Sequence, residues 1–232
     1  YISGTIFSLI YLFKRFKKSY IICSFSVIKK YFNDSLIFFL SRVSVSLYTT
    51  SNAFVLGLVT SNIMVGYYAV AEKLYMVIRQ MYQPIVQVIY PYISKTRNVK
   101  FFKKLYPIII LLNFIGIYVL WQFAAEIIQL VTTETFFESV KVFRILLIVA
   151  CIVVPSVLIG YPFLAALGYK NEANYSTIIG SLFHVISLTV LFFCNSIDIY
   201  NIVYLLIITE LIVLLYRLYV VYNNKLFNNE KI

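Results

Sequence analysis

Six long apolar stretches, each near or above the length needed to cross a bilayer, constrain how this chain can fold. We predict membrane spans at about residues 35–60, 63–93, 104–131, 139–166, 172–194 and 199–222. A membrane-spanning helix needs about 20 mostly apolar residues. Composition agrees, because 62% of the 232 residues are hydrophobic and 12% are charged, whereas soluble domains average about 45–50% and about 25%. The sequence therefore predicts an all-α membrane protein.

The segments outside the six spans are apolar at the start of the chain and basic elsewhere. Residues 1–13 are apolar but too short to span a bilayer, so we interpret them as the end of a preceding transmembrane helix. Residues 14–34 hold six Lys and Arg residues. They are predicted to form a basic cytoplasmic or interfacial linker, with a short interfacial helix held by Lys29 and Lys30. Residues 223–232 are predicted to be a cytoplasmic tail.

Basic residues concentrate in alternate connections between the spans. Fifteen of the 20 Lys and Arg residues fall in residues 14–34, 94–104, 168–172 and 217–232. The opposite connections, at residues 61–62, 132–139 and 195–198, hold none. Because positive loops stay in the cytoplasm, this alternation predicts a multi-pass membrane protein with a cytoplasmic C-terminus. The net charge of +11 is then a topology signal, and we expect no nucleic-acid partner.

The second predicted span contains three charged residues, Glu72, Lys73 and Arg79. On a helical wheel, Arg79 and Gln83 both lie within about 40° of Glu72, whereas Lys73 lies about 100° away. A charge at the centre of a membrane helix costs at least about 2.5–3.5 kcal/mol. We therefore expect this polar stripe to face a water-filled cavity or a polar partner.

Two other predicted spans carry polar stripes of the same kind. Arg42 and Thr49 share one face of the first span, with Asn52 about 80° from Arg42. In the fifth span, His184 shares a face with small and hydroxyl residues, namely Thr177, Gly180 and Ser181. Together the three stripes predict a hydrophilic cavity with a cationic lining.

Each of these charged or ionisable residues also has a possible structural role. Arg42 and Arg79 could face a substrate or pair with an acid on a neighbouring helix, and Glu72 could be such a partner. His184 could serve helix packing or carry a proton. Glu210 is taken to lie near a helix end or interface and is assigned no function.

Two segments resemble a known family. The segment SLYTTSNAFVLGLVTSNIMVGYYAVAEKLYMVIRQMYQPIVQVIYPYISK (residues 46–95) resembles the seventh and eighth spans of Wzx-type O-antigen and capsule polysaccharide flippases. The segment ALGYKNEANY (residues 166–175) resembles their linker into the eleventh span. These flippases are relatives of the multidrug and toxin extrusion (MATE) exporters, within the multidrug/oligosaccharidyl-lipid/polysaccharide exporter superfamily. The resemblance implies a MATE-like fold of about twelve helices, of which this chain is the C-terminal six-helix bundle plus the end of the preceding helix.

The resemblance also implies a function. Such proteins translocate undecaprenyl-pyrophosphate-linked oligosaccharide units across the membrane by alternating access, so Arg42, Lys73 and Arg79 are expected to hold the pyrophosphate. The other expected cavity residues are Thr49, Asn52, Glu72 and Gln83. The implied partners are the lipid-linked glycan, the bilayer, an N-terminal half of the same protein and a polysaccharide polymerase complex. No catalytic motif, metal site or cofactor is expected, and coupling to Na⁺ or H⁺ is left open.

Two alternatives remain from the residues themselves. An ion-coupled multidrug exporter of the same fold should line its cavity with acids, but Glu72 is set against three bases, Arg42, Lys73 and Arg79. A membrane polysaccharide polymerase would need an external site, and the longest predicted outer loop, residues 132–139, has eight residues. Both alternatives are less consistent with the sequence than a flippase.

Overall fold

A computed structural model describes residues 2–15, 24–132 and 136–227, and the long regular elements of these segments are all helices. The helices are α1 (Ile2–Arg15), α2 (Phe25–Val59), α3 (Asn62–Met81), α4 (Gln83–Thr96), α5 (Val99–Gln122), α6 (Ala124–Val131), α7 (Phe137–Ile159), α8 (Lys170–Phe193) and α9 (Ile199–Asn223). A π-helical segment, Gly160–Ala165, continues α7. The chain divides into two compact units, Tyr1–Ile37 and Phe38–Ile232. The first unit contains α1 and the start of α2, and the second contains the remaining helices.

Helix α2 begins about ten residues before the predicted first span. The short interfacial helix expected within residues 14–34 is not separate, because the backbone is continuously helical from Phe25 to Val59. Residues 16–23 lie outside the described part of the chain. Lys29 and Lys30 do not interrupt the helix, since Pro and Gly break helices far more strongly than charge does, and residues 25–56 contain neither.

The predicted second span divides into two helices at Tyr82. Helix α3 ends at Met81 and α4 begins at Gln83, with Pro84 in its first turn. Proline lacks an amide hydrogen, and its ring clashes with the carbonyl four residues earlier, here that of Gln80. The interruption is confined to Tyr82, whose backbone angles remain in the right-handed helical region.

Helix α7 is the central helix of the second unit. It packs against α3, α5, α6 and α9, and Val142, Leu146, Leu147 and Val149 are fully buried. A helix that is apolar all round is expected in the middle of a bundle. Helices α3, α5, α6 and α9 surround α7, and the outward faces of the helices in this unit carry exposed apolar side chains.

Four helices of the described chain are long and apolar enough to cross a membrane, and they correspond to the predicted third to sixth spans. They are Val99–Gln122, Phe137–Ala165, Lys170–Phe193 and Ile199–Asn223. Large apolar side chains are exposed on these outward faces, for example Leu111, Leu112 and Ile186, which suits a lipid environment and not water. The regular structure of the described residues is thus all-helical, with the character of a multi-pass membrane protein. The first two predicted spans, which hold the charged residues, remain predictions.

Helices α8 and α9 approach each other closely at Gly180. A Cβ atom placed on Gly180 would lie 2.5 Å from Val213 Cγ2 and 3.6 Å from the Thr209 carbonyl oxygen. Glycine is therefore required here by packing. Gly116 in α5 is the opposite case, since a Cβ there would meet nothing within 4 Å.

We predict that Gly180→Ala destabilises the protein although alanine favours a helix. The gain in helix propensity, up to about 1 kcal/mol, is outweighed by overpacking against a stiff valine, which costs about 1–3 kcal/mol. Thermal unfolding of the purified protein in detergent measures this. Gly116→Ala is the matched control and should not lower the melting temperature. If both variants melt like the wild type, the close contact between α8 and α9 does not exist.

Candidate functional site

Three hydrogen-bonded bridges join α2 to α8 and α9. They are Ser41 Oγ to Thr177 Oγ1 at 2.6 Å, Tyr48 Oη to Glu210 Oε1 at 3.0 Å, and Asn52 Oδ1 to His184 Nε2 at 2.8 Å. Ser41, Tyr48 and Asn52 follow at intervals of seven and four residues, so they share one face of α2. The face of α2 turned towards α8 and α9 is thus the one that carries these three residues, about 100° from the predicted stripe of Arg42 and Thr49.

A cavity of about 550 Å³ lies beside these bridges. Its size falls within the range of small-molecule sites, about 300–1,000 Å³. Thirteen of its 18 lining residues are polar or charged: Ser41, Arg42, Ser46, Tyr48, Arg79, Gln83, Gln87, Tyr90, Ser156, Tyr161, Thr177, Glu210 and Arg217. The residues come from α2, α3, α4, α7, the π-helical segment, α8 and α9, so the cavity depends on the packing of most of the second unit.

The charged lining of the cavity has an excess of positive charge. Three arginines, Arg42, Arg79 and Arg217, face one glutamate, Glu210. Lys141 forms an ion pair with Glu138 outside the cavity, and none of the three arginines forms one with a described residue. No described carboxylate is therefore within ion-pair distance of the three guanidinium groups. Guanidinium groups left in this way are suited to bind an anion.

Three of the residues predicted from the sequence line this cavity, namely Arg42, Arg79 and Gln83. Arg42 is exposed and Arg79 is half-buried. Arg79 interacts electrostatically with Glu210 and also with the hydroxyl group of Tyr48, which donates to Glu210. Helix α3 therefore presents its arginine to the cavity next to the bridge from α2 to α9.

Arg217 is a cavity residue that the sequence analysis placed elsewhere. It was counted with the basic C-terminal segment as a topology signal, but its side chain is only 5% exposed and lines the cavity from α9. Its Nε donates to Ser176 Oγ at 2.9 Å, and its Nη1 donates to the Ser156 carbonyl at 2.7 Å. Counting charges by position along the chain cannot separate a loop cation from one buried a turn or two inside a helix.

Glu210 was also misplaced by the sequence analysis. It lies within α9, not at a helix end, and it is 3% exposed. The signal that could have found both residues is their spacing, since Glu210 and Arg217 are seven residues apart. Glu72 and Arg79 have the same spacing in α3, and residues seven apart share a helix face.

Three further predicted residues lie in a second, smaller pocket. Thr49, Asn52 and Glu72 line a space of about 20 Å³, and Arg79 borders both this pocket and the large cavity. Such a space has room for about one water molecule. Glu72 accepts a hydrogen bond of 3.2 Å from the Tyr68 hydroxyl group. These residues form a polar layer next to the cavity and do not line its main volume.

His184 is enclosed between α2 and α9. It is fully buried, its Nδ1 lies 2.8 Å from Thr209 Oγ1, and its Nε2 lies 2.8 Å from Asn52 Oδ1. The Tyr48 ring also contacts the imidazole, with 5.6 Å between ring centroids. Both ring nitrogens are thus engaged in joining three helices.

Lys73 differs from the other predicted cations. It is exposed, and it lines neither the large cavity nor the smaller pocket. Its wheel position, about 100° from the stripe of Glu72 and Arg79, explains this. The structure therefore groups Arg42 and Arg79 with Arg217 and not with Lys73.

Residues 1–97 match the family model described as polysaccharide biosynthesis protein. The matched segment runs from α1 through α4 and includes Arg42 and Arg79, while Glu210 and Arg217 lie beyond it. The chain has no significant match among curated proteins or among solved structures. The family match, together with the apolar helices, indicates a multi-pass membrane protein with a role in polysaccharide biosynthesis or export.

The bridge between Asn52 and His184 should contribute measurably to stability. We predict that Asn52→Ala destabilises the protein by about 1–2 kcal/mol, because His184 Nε2 loses its buried partner. The neighbouring Ser51 provides a matched control, since its Oγ is buried but has no described hydrogen-bond partner. Ser51→Ala should therefore change stability by less than about 0.5 kcal/mol. Thermal unfolding in detergent compares the two, and equal effects would contradict the role given to the bridge.

Proposed function

We propose that the protein is a flippase for undecaprenyl-pyrophosphate-linked oligosaccharides, the repeat units of O-antigen, capsule or exopolysaccharide. It carries the head group from the inner to the outer leaflet of the bacterial cytoplasmic membrane by alternating access. In this proposal it is a transporter, not an enzyme. A preceding half of the protein supplies the facing wall of the cavity, and the lipid-linked unit is delivered to a polysaccharide polymerase.

The observation that carries the proposal is the unneutralised positive charge of the cavity. Arg42, Arg79 and Arg217 outnumber Glu210, and no described carboxylate pairs with them at ion-pair distance. A diphosphate offers several anionic oxygens, and the planar guanidinium group matches phosphate geometry with two parallel donors. A cationic drug would meet three like charges here, which argues against the multidrug exporter.

The remaining polar lining suits the sugars of such a substrate. Gln83, Gln87 and Tyr90 extend the lining along α4 from Arg79. Amide and hydroxyl groups can both donate to and accept from sugar hydroxyls. The charged residues would thus hold the diphosphate, while α4 would contact the adjoining sugar.

Moving such a head group across the membrane calls for a protein with a polar cavity and an apolar outer surface. A diphosphate carrying several sugars cannot cross about 30 Å of hydrocarbon without losing its hydration at prohibitive cost. A protein that encloses the head group removes this cost, while the isoprenoid tail stays in the lipid against the apolar outer faces. The family match of residues 1–97 supports a polysaccharide pathway as the setting.

Deletion of the full-length gene tests the proposal. Membranes of the deletion strain would be assayed for complete lipid-linked repeat units on each leaflet. Accumulation on the cytoplasmic face, reversed by the wild-type gene, is the expected result. Units that reach the outer face but remain unjoined would favour a polymerase. Unchanged surface glycan would overturn the proposal and favour an exporter of other substrates.

We predict that Arg79→Ala slows export by at least about tenfold at normal protein levels. The reason is that losing a charge-assisted hydrogen bond costs about 1.5–3 kcal/mol, and 1.4 kcal/mol is about tenfold. Surface glycan and inner-leaflet lipid-linked units measure the effect in the complemented deletion strain.

Arg144→Ala is the matched control for that prediction. Arg144 is also an arginine within an apolar helix, but its guanidinium lies 5.9 Å from the centre of the Trp121 ring and it does not line the cavity. It should support export at a rate close to that of the wild type. Normal surface glycan from Arg79→Ala, with the protein present at wild-type amounts, would contradict the role of Arg79.

A further inference from the structure

Arg217 is a buried cation held by neutral oxygens and not by a carboxylate. Its Nε donates to Ser176 Oγ at 2.9 Å, and its Nη1 donates to the Ser156 carbonyl at 2.7 Å and to Ser156 Oγ at 3.0 Å. Its Nη2 makes no hydrogen bond to any described residue, although guanidinium carries two donors on that nitrogen. Since Arg217 lines the cavity, these two donors are available to a bound molecule.

The backbone beside Arg217 leaves room for its guanidinium. A Cβ atom on Gly160 would lie 2.8 Å from Arg217 Nη1 and 2.9 Å from its Cζ. Gly160 opens the π-helical segment that follows α7, and such segments are frequent at functional sites. Ser156 in α7, Ser176 in α8 and Gly160 surround the guanidinium and together hold it in one position.

A purely structural role explains this arrangement poorly. Removing a guanidinium from water costs several kcal/mol, which neutral hydrogen bonds offset only in part. A neutral side chain such as glutamine could link α7, α8 and α9 without that cost. A charge kept here, with free donors towards a cavity, is better explained by an anion that completes its interactions.

Arg79 provides the second side of such a site. Arg79 and Arg217 repel each other electrostatically, and Glu210 attracts both without forming a close ion pair. An anion bound between the two arginines would replace this repulsion by two attractions. A group with several anionic oxygens would benefit most, because each guanidinium can take a different oxygen pair.

We infer that Arg217, positioned by Ser156, Ser176 and Gly160, is a fixed anion-binding residue that takes diphosphate oxygens together with Arg79. This inference rests on the proposed function for the identity of the ligand as the head group of a lipid-linked sugar. It assigns to Arg217 a role in binding that no loop or topology argument predicts. Arg42, which is exposed, is not part of this fixed pair.

Binding of two diphosphates to the purified full-length protein in detergent tests the inference. The probes are inorganic pyrophosphate and a short isoprenyl diphosphate, measured by calorimetry at low and high salt. Arg217→Lys keeps the charge but removes the planar fork, so binding should weaken by at least about tenfold. Gly160→Ala keeps Arg217 and its charge but displaces the guanidinium, and binding should again weaken, by several-fold.

Matched controls separate binding from folding. Arg144→Lys changes an arginine outside the cavity, and Gly116→Ala adds a methyl group in open space. Both should bind the diphosphates like the wild type. Thermal unfolding without ligand is recorded for every variant. If Arg217→Lys does not fold, Gly160→Ala still decides, because it keeps the arginine and the added methyl group meets the far end of that side chain and not the backbone.

The possible outcomes distinguish the alternatives. If both cavity variants bind like the wild type and only lose thermal stability, Arg217 is a structural link and the inference is overturned. If the variants affect inorganic pyrophosphate but not the isoprenyl diphosphate, the site binds a free anion and the lipid-linked ligand is overturned. Equal losses for both probes, with competition between them, support the inference.

Failure of the inference can be told apart from failure of the proposed function. Suppose that the deletion strain has normal surface glycan but the Arg217 and Gly160 variants bind diphosphate more weakly. The flippase proposal would then be wrong, and Arg217 would still be an anion-binding residue. Suppose instead that lipid-linked units accumulate on the inner leaflet of the deletion strain, but Arg217→Lys exports and binds like the wild type. The role of Arg217 would then be wrong, and the flippase proposal would stand.

Discussion

The polar bridges between α2 and the pair α8–α9 are the interaction on which the cavity depends. Tyr48 reaches Glu210 and Asn52 reaches His184 from one face of α2, so that face cannot turn towards lipid. In hydrocarbon, an unsatisfied hydroxyl or amide is costly, and each bridge satisfies one. The rotation of α2 about its axis is thereby fixed, and Arg42 is brought to the cavity on the same helix.

The cost of exposing polar groups to hydrocarbon also explains where the charged residues lie. The outward faces of the helices are apolar, so cations inside the spans must turn inward or reach an aqueous end. Arg79 and Arg217 turn inward and share the attraction of Glu210. Because one carboxylate cannot neutralise three guanidinium groups, the cavity keeps a positive field. That field is what makes an anionic head group the most suitable occupant.

Two irregular points in the helices lie beside the cavity, namely the break at Tyr82 and the π-helical segment that begins at Gly160. After the break before Pro84, α4 continues the polar lining begun by Arg79, with Gln83 at its first position. At the other side, the π-helical segment begins at Gly160, which leaves space for the Arg217 guanidinium. Both features cost regular hydrogen bonding, and both occur beside the residues proposed to bind the substrate.

Apolar length, charge alternation and 3.6-residue periodicity are local properties, so the sequence alone could predict an all-helical membrane protein. The same periodicity predicted the inward faces that hold Arg42, Arg79 and Gln83. Partners across helices depend on which helices pack together, which no local pattern encodes. For this reason Arg217 was counted only as a topology signal and not as a cavity residue, and Glu210 was left without a role. Tertiary packing decided that Glu210, 162 residues from Tyr48 in the chain, would accept its hydrogen bond, and that Arg217 would lie beside Gly160.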